Sequence, residues 1–407
     1  MPGLITVQTL DSGTTEHGSI ERATFANMLL RIGHWRRPTF IVLVLTSSFL
    51  VTLLAIWHYQ YRPADSISSF LHPSAAPKLS SSEHPIPPVP LECSKLQFNR
   101  PQGESPGLAV ALSPGELLCR PVDPNMPGIP KLLHQSWKNS ELPAKFQRWS
   151  KGCRAQHADW EWVLWTDDDN LKLVQTYFPW LEEAFLGLPG PIYRADFARN
   201  LYMYMYGGVY VDLDTDCLRP TDEALAPFRI PVVDATNTTS SDEPVDHRGI
   251  AVFGRLGSDE TFQHSIPNAW MASSPRHPFF LVPMYTTKEV VQKRKTILRH
   301  LGGIPSAEHI TGPIALRESI LRWKASLRDL WDEVVLLPPH MVYPYSWKKP
   351  GEFGAICSAM FATLDEPLCQ EKLRVKEKGS LSITYWSNTH KGTGHNENTI
   401  AQVSQDK

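Results

Sequence analysis

Along residues 194–206 the apolar side chains fall at helical spacing, with Phe197, Leu201 and Tyr204 at i, i+4 and i+7. Gly207 and Gly208 end the pattern, since glycine readily takes the left-handed conformation that closes a helix. From Val209 to Asp214 the chain alternates as a strand does. Val209, Val211 and Leu213 share one face, and Tyr210, Asp212 and Asp214 share the other. Upstream, Lys131–Gln135 and Trp160–Trp165 read as two strands. Thr166 with Asp169 reads as a capping box, so the acidic run Asp167–Asp169 opens a helix and is not a metal site. Leu171, Val174, Phe178, Leu181 and Phe185 continue that helix until Pro189-Gly190-Pro191 breaks it. Ile250–Phe253 returns to a strand, and Thr311-Gly312-Pro313 starts a helix that runs to about Trp323. Strand and helix alternate over 129–214, which predicts an α/β fold with a mostly parallel sheet and helices on both faces. Ligands of such sheets bind at the carboxyl ends of the strands, where Asp212 and Asp214 fall.

One other stretch is apolar without a polar face. Phe40–Trp57 carries no charge and has about the length of a bilayer span. Arg36-Arg37 precede it and only Arg62 follows closely, so the positive-inside rule places the N-terminus in the cytosol and the rest in a lumen. A cleaved signal peptide fits less well, because the preceding tail is long and no small-residue cleavage site follows. The expected organisation is a tail at 1–38, a membrane anchor at 39–58, a Pro/Ser-rich stem at 59–128, a catalytic domain at 129–395 and a polar tail at 396–407. Asn237-Thr238-Thr239 is the only glycosylation sequon in the chain and suits a luminal loop. The net charge is −2 with 20% charged residues, which excludes a nucleic-acid binder. Six cysteines permit disulfides in a lumen. Cys93–Cys119 and Cys357–Cys369 are the local choices, which leaves Cys153 with Cys217; the sequence does not settle the pairing.

The chemistry concentrates where the helix meets the strand. Two carboxylates at i, i+2, Asp212 and Asp214, repel each other unless a cation lies between them. Asp196 and Arg199 share the face of the preceding helix. The stretch from Ala195-Asp196 through Arg199, Gly207-Gly208, Tyr210, Asp212 and Asp214 resembles the signature SDxxRxxxLxxxGGxYxDxD of glycosyltransferase family 32, which includes outer-chain mannosyltransferases of the Golgi. Ala195 stands where that family usually has Ser. IPKLLHQSWKN is similar to the family's opening strand, WEWVLWTD to its Trp-Asp corner, and Asn268–Phe279 to a third segment.

The resemblance covers about residues 129–390 and implies a GT-A-type, Rossmann-like fold and a retaining transferase. It implies Mn²⁺ or Mg²⁺ on Asp212 and Asp214, with these two as the catalytic centre. His134, Gln135, Trp137, Trp165, Asp196, Arg199, Tyr210 and Asn268 would line the site of a nucleotide-sugar donor, GDP-mannose or a UDP-sugar. The acceptor would be a glycan or a sphingolipid, and the protein would sit in the Golgi membrane beside other transferases. Relatives carry a C-terminal His that completes the metal site. Here Thr384 and Tyr385 stand in its place, which leaves His390 or solvent as the third ligand. Two further readings remain open, a glycan-binding pseudo-enzyme of the same fold and a metal-dependent phosphohydrolase.

Overall fold

The computed structural model describes residues 85–95, 106–235, 249–296, 305–326, 332–348 and 351–387. The expected membrane anchor at 39–58, both tails, Asn237 and His390 lie outside the described residues. Among the described residues no helix is long and apolar enough to cross a membrane.

In chain order the strands are β1 (Val110–Leu112), β2 (Ile129–Pro130), β3 (Leu132–Ser136), β4 (Glu161–Trp165), β5 (Gly208–Val211), β6 (Thr215–Cys217), β7 (Val232–Val233), β8 (Ile250–Phe253), β9 (Trp270–Ser273), β10 (Glu333–Leu336) and β11 (Ser382–Thr384). Seven of them form one sheet in the order β1-β4-β3-β5-β9-β8-β10. All neighbours pair in parallel except those of β9, which runs against both β5 and β8. The fold is therefore the expected mixed α/β with a mostly parallel sheet. The sheet begins earlier than the sequence suggested: β1 lies in the stretch read as stem and pairs with β4. Cys93 is joined to Cys119 just beyond it. Three residues bounded by Ser and Pro are too short to show a period, so the strand was hidden in a Pro/Ser-rich context.

Alternation along the strands divides the core into two layers. Leu132, Trp165, Tyr210, Phe253 and Met271 face one cluster, and Leu133, Val209, Val211, Val252 and Trp270 face the other. Helix α1 (Ala144–Gln156) packs beside β6, and Cys153 is disulfide-bonded to Cys217. The third bridge is Cys357–Cys369, so all three pairs agree with the local choices and their remainder. Helix α2 (Asp167–Tyr177) starts on the capping box that Thr166 and Asp169 form in both directions. Pro179 interrupts the apolar run that follows, which continues as a 3-10 turn and a short helix, Glu182–Leu186. Helix α3 (Pro191–Tyr206) begins with Pro at its first turn and ends at Gly207.

The double glycine is a steric requirement. Gly207 and Gly208 have φ of 65° and 86°, and a Cβ on them would lie 2.6 Å from the Ser273 carbonyl oxygen and 2.4 Å from that of Leu132. Side chains here would push the junction of α3 and β5 away from β9 and β3. β5 stops at Val211, shorter than the alternation predicted, because Asp212–Asp214 form a turn in which the Thr215 N–H donates to the Asp212 carbonyl at 3.1 Å. Leu213 is buried in a third cluster with Phe146, Trp149 and Tyr385, and the two aspartates flank it.

Candidate active site

The turn after β5 opens into a cleft of about 410 Å³ at the carboxyl ends of the parallel strands. Its walls come from the end of β3 (Ser136, Trp137), the face of α3 that carries Asp196 and Arg199, the residues just before β9 (Asn268, Ala269) and the segment after β11 (Trp386, Ser387). Because β9 is antiparallel, its beginning lies at the same edge as the end of β5. The Asp212 N–H donates to the Ala269 carbonyl at 2.8 Å and fixes that junction.

Arg199 is the hub of the polar network. Its Nη2 lies 3.0 Å from Asp196 Oδ1, and its Nη1 lies 3.2 Å from Asp212 Oδ1 and donates to the Asn268 carbonyl at 2.8 Å. The guanidinium also lies over the Tyr210 ring, 4.5 Å from its centroid. Tyr210 donates its hydroxyl to Asp212 Oδ1 at 2.6 Å, and Asn268 Nδ2 donates to Asp196 Oδ1 at 2.9 Å. Burial works against the Arg199 charge. Asp212, Tyr210 and Asp196 outweigh it and hold its pKa above the ordinary value. Burial pushes Asp196 up to about 6, with Arg199 opposing and Asp212 adding.

Asp214 has a different environment. Its Oδ2 accepts from the Ser387 backbone N–H at 2.7 Å, and its carbonyl accepts from the Tyr385 N–H at 2.9 Å. Trp386, between those two donors, has φ of 52°, a conformation rare for a bulky residue and costly unless the surroundings impose it. The strained residue sits between the two amides that bind Asp214, one at its carbonyl and one at its carboxylate. Burial, then the charge of Asp212, push the Asp214 carboxyl up to about 6. Arg199 neutralises Asp212, yet no side-chain cation is paired with Asp214 among the described residues. No group of three His, Cys, Asp or Glu that could hold a metal occurs among the described residues. Two hard carboxylate oxygens beside an open cleft fit a divalent cation that takes its remaining ligands from a substrate's phosphates and from water. They do not form a closed protein cage.

The residues singled out in the sequence separate into two sets. Trp137, Asp196, Arg199, Tyr210, Asp212, Asp214 and Asn268 come together around the cleft. His134, Gln135 and Trp165 do not; they are fully buried in the sheet, and their expected donor contacts give way to core roles. The His134 Nε2–H donates to the Gly207 carbonyl at 2.9 Å while Nδ1 accepts from Trp165 Nε1 at 3.1 Å. Burial holds this imidazole neutral, down at about 3. Gln135 Oε1 accepts from Ser150 Oγ and Trp162 Nε1. Thr384 and Tyr385 are buried beside the antiparallel pair of β6 and β11, where the Thr384 and Thr215 hydroxyls meet at 2.9 Å. Sequence reading missed Trp386, Ser387, Trp347, His264 and Glu308, all of which line the cleft. Only the aromatic-rich stretch from 384 onward carried any signal for them.

Comparison with known proteins meets this geometry at its centre. Residues 143–229 match the family described as "Glycosyltransferase sugar-binding region containing DXD motif". The chain is 32% identical over 164 residues to inositol phosphoceramide mannosyltransferase 1 of Schizosaccharomyces pombe, covering 39% of this chain and 43% of that protein. It is 42% identical over 97 residues to inositol phosphoceramide mannosyltransferase 3 of the same organism, covering 24% and 27%. It is also 32% identical over 110 residues to the initiation-specific alpha-1,6-mannosyltransferase of Saccharomyces cerevisiae, covering 25% and 23%. The matched stretches span less than half the length of these relatives. The chain thus carries a DXD-type glycosyltransferase sugar-binding region similar to that of yeast mannosyltransferases, as its sequence signature suggested.

Proposed function

We propose that this chain is a retaining, metal-dependent glycosyltransferase with a GT-A-type domain. It moves mannose from GDP-mannose to the headgroup of an inositol-phosphate sphingolipid, or to a glycan. The observation that carries the reading is the Arg199 hub joined to Asp196, Asn268 and Asp212 in one cleft with Asp214. A hydrolase of phosphate esters needs further carboxylates around the metal pair, and no group of three His, Cys, Asp or Glu that could hold a metal occurs among the described residues. Relatives named for inositol phosphoceramide reach 42% identity, against 32% for the initiation-specific enzyme, which supports placing the lipid first.

In this reading Asp196 and Asn268 present polar atoms to the hydroxyls of the donor sugar, and Arg199 holds both in place. Tyr210 engages Asp212 through Oδ1 and so sets the orientation of that carboxylate. A divalent cation bound by Asp212 and Asp214 would offset the negative charge that gathers on the diphosphate as the glycosidic bond breaks. Trp137 gives the nucleotide a flat apolar wall; it is held edge-on by Phe146, with centroids 5.0 Å apart. The protein would stand in the Golgi as a type II membrane protein, anchored by 39–58 and glycosylated at Asn237. Protease digestion of the C-terminal domain in sealed vesicles would contradict that topology.

The test of the activity is transfer by the purified full chain in detergent. GDP-mannose and UDP-sugars would be supplied with inositol phosphoceramide and with an N-glycan, and products read by mass spectrometry. Mannose transfer that stops in excess EDTA and returns with Mn²⁺ is the expected result. Full turnover in EDTA would remove the role given to Asp212 and Asp214.

A further inference from the structure

Opposite α3 the cleft has a wall that the donor site does not use. His264 and Trp347 line it, and Phe262 and Lys348 stand behind. Trp347 is 40% exposed, the one tryptophan among the exposed large apolar side chains of the described residues. Its plane is fixed by two edge contacts, with Phe262 at 5.6 Å and His264 at 5.3 Å between centroids. Lys348 lies over Phe262 at 4.1 Å and pairs with Asp259 at 2.7 Å, which closes the cluster from outside.

The backbone under Trp347 is tied to both sides of the active site. The Tyr343 hydroxyl accepts from the Trp270 N–H at 2.8 Å and donates to the Pro267 carbonyl at 3.2 Å, so it brackets Asn268 and Ala269. Two residues further, the Tyr345 carbonyl accepts from Trp386 Nε1 at 3.3 Å. His264 is held by its own turn, in which the Ser265 N–H donates to the Phe262 carbonyl at 2.9 Å, and Arg317 bonds Ser265 and Glu260. A rigid indole kept partly bare at the mouth of a polar cleft is the surface that the apolar C–H face of a cyclic polyol packs on.

We propose that Trp347, positioned by His264 and Phe262, is the platform for the acceptor ring, a six-membered polyol that is either a hexose or an inositol. The proposal rests on the transferase reading for its reaction, while the contact itself is a binding property. It makes Trp347 a specificity-determining residue for the acceptor and leaves the donor to the α3 side of the cleft.

Saturation-transfer NMR on the full chain would use mannobiose and glycerophosphoinositol as probes, and Trp347→Ala and Trp347→Phe as variants. Ring C–H protons of one probe should receive saturation from wild type, lose it in Trp347→Ala and keep most of it in Trp347→Phe; the responding probe identifies the source of the ring. In transfer assays Trp347→Ala should raise the acceptor KM about tenfold while the donor KM stays within about twofold. Absence of contact with both probes in wild type, or a donor KM that rises with the acceptor KM, would overturn the platform. A wild type that contacts a probe but transfers nothing would instead refute the transferase reading.

Discussion

Asp214→Asn should make the metal-free protein more stable while abolishing transfer. Asp214 is a half-buried carboxylate held near Asp212 with amide donors but no paired cation, and its pKa rises from 3.8 to about 6. That displacement corresponds to about 3 kcal/mol of disfavoured charge at neutral pH, and screening at a half-buried position lowers it to about 1–3 kcal/mol. The folded state binds the proton more tightly than the unfolded chain, so the penalty is absent below the unfolded value of 3.8 and complete above about 6. Asn keeps the shape and an oxygen to accept the Ser387 N–H, and it removes the charge. In EDTA near pH 7.5 the variant should melt about 2–5 °C higher than wild type. Near pH 4 the difference should vanish, because wild-type Asp214 is then protonated. Mn²⁺ should restore the order by raising the wild-type melt, with about 2.7 kcal/mol gained at a hundredfold excess over Kd. Calorimetry at the two pH values, each with and without Mn²⁺, tests every step. A variant that is equally destabilised at both pH values would show that Asp214 is a structural hydrogen-bond acceptor and not a charge awaiting a cation.

Other outcomes follow from the same network. Arg199→Ala leaves Asp196 and Asp212 without their shared cation and should cost about 3–5 kcal/mol in urea unfolding as well as activity; loss of activity at full stability would show the pair to be purely functional. Tyr210→Phe removes one bond to Asp212 and should lower kcat/KM about tenfold through a loss of about 1–1.5 kcal/mol, with little change in far-UV circular dichroism. His134→Gln should destabilise the fold less near pH 4.5 than near pH 7.5, by about 2–3 kcal/mol. The His134 pKa is lowered to about 3, so the neutral ring contributes stability above the unfolded value of 6.5 and loses it as the pH falls. An equal deficit at both pH values in denaturant melts would mean that the ring is not held neutral.

Much of this was legible because it depends on short-range rules. Thr166 and Asp169 announce a helix start, Gly207-Gly208 a stop, and the change of period at Val209 a strand that leads two carboxylates to its end. The cluster of Asp196, Arg199, Tyr210, Asp212 and Asp214 lies within nineteen residues or so of one segment, and local geometry alone brings it together. What was illegible depends on distant pairing. His134 and Trp165 stand in motifs that resemble a donor site, yet β3 lies in the middle of the sheet, where alternate side chains must satisfy each other. Ser387 and Trp347 enter through long-range contacts, the pairing of β11 with β6 and the hydroxyl of Tyr343. The stem boundary failed for a related reason, since β1 becomes a strand only by pairing with β4.

The pairing of β6 with β11 also sets when the cleft becomes complete. Thr215 meets Thr384 across 169 residues of chain, and Asp214 meets Ser387 across 173. Contacts so remote in sequence close late, after the sheet and α3 have formed from nearer partners. Until that pairing closes, the helix, the glycines and both aspartates stand beside a cleft with one wall missing. The cleft is whole only once the strand at 382–384 has docked on β6.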